Sequence, residues 1–296
     1  MRKHVVIPLC SLFLFSSCLN EDGDDLTDLA APAISASDGQ SNVQPTFFFK
    51  TSIDDPEIPL AFTITDATGI REIKIESHSG FDGHTHGRSM FARNLKFKLF
   101  NHNQVIGEEE IGNSNQFTYT SNIYLDDRNP EIASDELILA GPYHFSIQAT
   151  DIEGNETNYR DNSTYHTTLY INKPYAPQVE LTEVNTSENT ISGRIYKNTS
   201  HEASSDITFL WIYIEEPNER TPNQEGTIIE EWIWGNSNWP HQFRPNKGQD
   251  LPNTQEIEIE QLLSGNSDFF NALQGNKLVF WIEDTNGNIT VNQFNN

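Results

Sequence analysis

Hydrophobic and polar positions alternate along most of this chain with a period of two. In Ile73-Lys74-Ile75-Glu76-Ser77-His78 the isoleucines fall on one side, and Lys74, Glu76 and His78 on the other. In Tyr143-His144-Phe145-Ser146-Ile147 the apolar residues again share a side, leaving His144 with Ser146 on the polar one. Such alternation is the mark of a half-buried strand. Short alternating or apolar runs recur at residues 60–65, 70–77, 95–100, 117–125, 143–150 and 164–171. Further runs follow at 178–184, 190–196, 207–215, 227–234, 256–260 and 278–284. Asn, Asp, Gly and Pro separate them, and only residues 261–273 suit a helical turn or two. This spacing predicts an all-β chain of two antiparallel sandwiches. The proline-punctuated Lys173-Pro174-Tyr175-Ala176-Pro177 divides them into residues 43–173 and 174–296.

An internal repeat supports the division. Residues 145–157 lie over residues 278–290 so that Asp151, Gly154, Asn155 and Thr157 coincide with Asp284, Gly287, Asn288 and Thr290. Each copy reads as a core strand entering a hairpin whose Gly and Asn accept positive φ. The pattern resembles the penultimate strand and last hairpin of bacterial immunoglobulin-like domains, so both sandwiches are expected to be immunoglobulin-like. The second copy has no glutamate at the distance an EF-hand loop requires, and turn chemistry accounts for it without calcium.

The amino terminus adds a location. Arg2 and Lys3 precede an apolar run from Val5 to Phe15, too short to span a bilayer and proportioned as a secretory signal. Leu14-Phe15-Ser16-Ser17-Cys18 resembles the lipobox of bacterial lipoproteins, which implies a signal at residues 1–17 and lipidation of Cys18. The acidic Glu21-Asp22-Gly23-Asp24-Asp25 resembles the surface-export signal of Bacteroidetes lipoproteins, and residues 18–42 read as a disordered acidic tether. The expected location is the outer membrane, lipid-anchored and exposed at the cell surface. With Cys10 removed and Cys18 lipidated, the mature sandwiches hold no cysteine and hence no disulfide. The formal charge is −25, which disfavours nucleic acid and anionic lipid as partners. Contact with the membrane is expected through the lipid alone.

Candidate chemistry centres on His78-Ser79-Gly80-Phe81-Asp82-Gly83-His84-Thr85-His86, where three of the nine histidines fall together. His84 and His86, two apart, share a side of an extended segment. In an immunoglobulin-like sandwich the third and sixth strands pair antiparallel, which sets His78 beside His144 outside the core. Four imidazoles then converge, with Asp82 as an oxygen ligand or as a partner to a ligating histidine. Zinc is the expected metal, and copper or nickel would accept the same ligands. The alternative is an exposed polar loop whose histidines are solvated. His102, His166, His201 and His241 lack such spacing.

The segments around Ile75-Glu76-Ser77-His78, Phe81-Asp82-Gly83-His84-Thr85-His86 and Gly141-Pro142-Tyr143-His144-Phe145, with Asp151, Gly154 and Asn155, are similar to a lipoprotein family catalogued as domain of unknown function 4625. The resemblance covers roughly residues 43–171. It implies a lipid-anchored, immunoglobulin-like module and no established activity. This chain departs in a longer insertion between Arg88 and Gln116 and in its second sandwich.

All five tryptophans lie in the second half. Trp232 and Trp234 share a strand face with Glu230, and Trp239 follows in a loop rich in Asn. These rings either stack on a glycan or an outer-membrane protein partner, or pack in the core or between the domains. Enzyme activity is not expected: there is no HExxH helix, nucleophile motif or phosphate-cradling loop. A zinc-dependent hydrolase, with Glu76 or Asp82 as base, would need three histidines and an open position.

Overall fold

The computed structural model of the chain describes residues 29–36, 48–50, 56–81, 97–216 and 226–295. The signal at 1–17, Cys18, the acidic run behind it, Asp82, His84 and His86 lie outside the described residues. The described chain is mostly β, and its strand pairings are mainly antiparallel, as the alternation predicts.

The first half carries β1 (Ala33–Ala36), β2 (Phe48–Lys50), β3 (Glu57–Thr65), β4 (Ile70–Ser79), β5 (Phe97–Lys98) and β6 (His102–Ile106). After the short α1 (Glu108–Ile111) come β7 (Gln116–Tyr124), β8 (Leu137–Ile138), β9 (Gly141–Asp151) and β10 (Tyr165–Ile171). One sheet runs β1-β3-β7 and faces a second of order β2-β10-β9-β4-β6. Between them lie Ile58, Leu60, Phe62 and Ile64 of β3, Ile73 and Ile75 of β4, and Phe145 and Ile147 of β9. Each such side chain contributes about 1.5–3 kcal/mol when fully buried.

The second half carries β11 (Gln178–Asn185), β12 (Thr190–Tyr196), β13 (Ile207–Glu216), β14 (Thr227–Gly235) and β15 (Glu256–Glu258). Helices α2 (Ile259–Leu263) and α3 (Ser267–Leu273) precede β16 (Lys277–Asp284) and β17 (Ile289–Asn295). The sheets run β11-β12-β15 and β14-β13-β16-β17. The two halves repeat one plan, with β3, β4, β7 and β9 matched by β12, β13, β15 and β16.

The aligned hairpins are one structure twice. Asp151 N–H donates to Asn155 O at 3.1 Å, and Asp284 N–H to Asn288 O at 3.0 Å. The following Asn returns its side-chain amide to the carboxylate, at 2.6 Å in the first copy and 3.0 Å in the second. Gly154 and Gly287 take φ of 92° and 88°, a region that glycine enters without a Cβ clash.

Several elements differ from the expected runs, among them β2, β8, β17 and the helix α1, which fall outside those runs. β1 lies within the expected tether, and its four residues AISA pair with Phe62–Thr65, too short a run to show a period. β6, with the sequence HNQVI, is mostly polar and is held by pairing to β4. The run at 256–260 is strand only to Glu258, because Ile259 opens α2 and turns its side chain into the second core.

The sheet β14-β13-β16-β17 is covered on both faces at its centre. Leu210, Ile212, Phe280 and Ile282 point into the second sandwich. Phe209, Trp211, Tyr213, Val279 and Trp281 point the other way, into the apolar cluster of the first. Direct bonds join the halves: Ile289 N–H to Ala140 O at 2.8 Å, and Ala140 N–H to Asn288 Oδ1 at 3.1 Å.

Candidate functional site

Strand parity and register bring His78 and His144 together. β4 and β9 pair antiparallel with Ile75 opposite Ile147, Ser77 opposite Phe145 and His78 directly opposite His144. Ile75 and Ile147 face the core, which sends the two imidazoles to the outer face, His78 half-buried and His144 exposed. Their ring centroids are 5.4 Å apart. Gly80 closes this edge: a Cβ there would stand 3.0 Å from His144 Nε2, so only glycine leaves the ring its present place.

The separation bears on metal fit. With Zn–N near 2.0–2.1 Å and a tetrahedral angle, two imidazoles on one zinc have centroids about 5.2 Å apart. A cis pair on a square-planar ion would come nearer, at about 4.5 Å. The His78–His144 centroid distance of 5.4 Å lies near the tetrahedral value. Among the described residues no group of three or more His, Cys, Asp or Glu could hold a metal. His84, His86 and Asp82, which would complete a shell, fall outside them.

The chain leaving His78 runs straight into the joint between the halves. Phe81 is fully buried, edge-on to Tyr143 at 5.4 Å and to Trp239 at 4.8 Å. Its carbonyl accepts from Arg244 Nη2 at 2.9 Å. Trp239 in turn donates its indole N–H to Gly287 O at 2.8 Å. The adjoining Glu283 is buried and accepts from Trp281 Nε1, Ser237 Oγ and Asn238 N at 2.9, 2.8 and 2.6 Å. Burial pushes the Glu283 carboxyl above its ordinary range, against the pull of these donors and of Arg244. Asp284 is raised to about 7 by burial, opposed by donors from Asn288, Ser205 and Asn286.

The tryptophans of the candidate partner face are largely packed. Trp234 and Trp239 are each only 7% exposed. Trp234 belongs to the second core, Trp239 to the joint, and Trp232 is half-buried against Phe269 at 5.4 Å. Glu230 is exposed, but burial deepens along the strand past it, so its parity with Trp232 and Trp234 does not open their face. His102 is part-buried on β6 opposite Ser77, away from the His78 face, and burial lowers its pKa.

A cleft that the alternation pattern does not show opens beside His144. Its volume is about 310 Å³, and both halves line it, His144, Thr168 and Tyr170 facing Trp211, Tyr213 and Trp281. Arg244 lies over the Trp281 ring, 4.6 Å from its centroid. The one sequence signal was the unbroken apolar run of residues 209–214, the pattern of a strand buried on both sides.

Among the described residues no helix is long and apolar enough to cross a membrane. No curated protein matches the chain. Among solved structures, the dimeric latent PorU of Porphyromonas gingivalis is 14% identical, with a TM-score of 0.28, over 91% of this chain and 20% of that one. A DUF4785 family protein of Legionella pneumophila is 10% identical, with a TM-score of 0.31, over 84% of this chain and 54% of that one. The human desmocollin-1 ectodomain is 13% identical, with a TM-score of 0.20, over 91% of this chain and 37% of that one. These likenesses are too weak to inform function. The family described as "Domain of unknown function (DUF4625)" matches residues 16–164, a span that holds both His78 and His144 and starts ahead of the expected first sandwich. The chain belongs to the DUF4625 family.

Proposed function

We propose that the first sandwich binds a transition metal ion, zinc by preference, through His78 and His144. His84 and His86 are the further nitrogen ligands, and Asp82 is an oxygen ligand or a partner to one of them. The observation that carries this reading is the direct cross-strand pairing of His78 with His144 at a centroid distance of 5.4 Å. It puts two imidazoles at tetrahedral spacing where the chain leaves for His84 and His86. Copper or nickel would take the same nitrogen donors. The role is binding rather than catalysis, since no nucleophile or metalloprotease motif accompanies the histidines. The module is proposed to be immunoglobulin-like, for which the order β2-β10-β9-β4-β6 over β1-β3-β7 is support. The lipobox-like Leu14–Cys18 supports a lipid-anchored protein of the outer-membrane surface.

The test is a zinc titration of metal-free protein beside its His78→Ala/His144→Ala variant. Saturable binding with about one ion per chain, weakened by about a hundredfold or more in the variant, is expected. Equal binding by the two proteins would refute the assignment.

A further inference from the structure

We propose that the cleft between the two sandwiches is a binding site for a neutral saccharide. The site stands apart from the tryptophan strand face and needs no metal. Its two walls are the outer faces of the paired sheets. Thr168 lies opposite His144, and Tyr170 opposite Pro142, in the β9–β10 register, so these four share one face. Trp211 and Trp281 are cross-strand partners on the facing sheet, their rings 6.1 Å apart, with Tyr213 4.3 Å from Trp211. A volume of about 310 Å³ reaches the lower range of small-ligand sites, and an aromatic lining with a few converging polar groups is their usual make-up.

The charged groups narrow the ligand. A cation would be drawn to a cage of this kind, but Arg244 already occupies the Trp281 face at 4.6 Å and would repel it. An anion would meet Glu215, only 3% exposed, whose Oε1 accepts from Gly226 N at 2.6 Å. It would also approach a chain of charge −25. A neutral ring bearing several hydroxyls avoids both conflicts. Its C–H faces lie against Tyr170 and Trp211, and its hydroxyls, each donor and acceptor, meet His144, Thr168, Glu215 and Arg244.

The experiment follows tryptophan fluorescence, since Trp211 and Trp281 wall the cleft. Metal-free protein treated with EDTA is titrated with cellobiose, lactose, maltose and xylobiose at millimolar concentrations, then again after loading with zinc. Thr168→Trp fills the cleft from a half-buried position, and Ile228→Trp narrows it from an exposed one at its rim. A saturable change with at least one sugar, weakened by about tenfold or more in both variants while their thermal unfolding matches the parent, is expected. If Thr168→Trp fails to fold, Ile228→Trp carries the comparison. No response to any of the four sugars in either state overturns the proposal, as does binding that survives in the folded variants. A response in metal-free protein separates this proposal from the zinc reading, whose failure would leave it standing.

Discussion

Replacing Phe81 by alanine removes the ring that joins the histidine strand to the second sandwich. The ring is fully buried and meets Tyr143 and Trp239 edge-on at 5.4 and 4.8 Å. Truncation of a buried phenylalanine costs about 3–5 kcal/mol, transfer and cavity together. Of this, the Trp239 edge contact accounts for about 0.5–1.5 kcal/mol. The Phe81 carbonyl still accepts from Arg244 Nη2, so the backbone link survives and the loss is that of packing. Against a total stability of about 5–15 kcal/mol, the variant stays folded but unfolds at much lower urea. Urea curves for the parent, Phe81→Ala, Trp239→Ala and the double variant form a cycle. The expected coupling is about 0.5–1.5 kcal/mol, because each single change empties part of one contact. A loss under about 1 kcal/mol for Phe81→Ala, or strictly additive losses, would refute the view of Phe81 as the pin of the joint.

Three further outcomes follow from the same geometry. Gly80→Ala sets a Cβ 3.0 Å from His144 Nε2 and displaces the ring, so zinc affinity falls by about tenfold with unfolding unchanged; a competition titration reads this. Asn288→Ala removes the acceptor of Ala140 N–H and a donor to Asp284, and costs about 1–3 kcal/mol in urea unfolding. Asp284, raised by burial to about 7, holds a proton in the folded state that the unfolded chain releases near pH 4. Its contribution is therefore complete below about pH 4 and lost as pH rises through about 7, by at most about 4 kcal/mol. Asp284→Asn removes that part of the slope, and stability curves of equal slope for the parent and this variant would contradict it.

Much of the fold is legible in the alternation because a half-exposed strand writes its parity into the sequence. Ile73, Ile75, Phe145 and Ile147 fix which sides of β4 and β9 face the core, and the His78–His144 pairing follows once the strands are neighbours. The hairpins at Asp151 and Asp284 are equally legible, since Asp, Gly and Asn each perform a backbone task there. What parity does not convey is where one sandwich covers the other. β13 reads Ile-Thr-Phe-Leu-Trp-Ile-Tyr-Ile, apolar on both sides, and only three dimensions show that its second side meets Tyr170 across a cleft. Trp239 sits in a polar, Asn-rich loop that does not name its neighbours, and Gly287 and Phe81 enclose it from two distant parts of the chain. Short or polar strands such as β1 and β6 owe their conformation to their neighbours' ladders rather than to their own pattern.

The most direct test of the histidine site is the metal content of untagged protein, with X-ray absorption at the edge of whatever metal is found. The account predicts near-stoichiometric zinc, three or four nitrogen or oxygen scatterers at about 2.0–2.1 Å, imidazole outer-shell features, and loss of the metal in His84→Ala/His86→Ala. Protein that holds no metal after zinc incubation and desalting, or zinc retained in full by that variant, would contradict it.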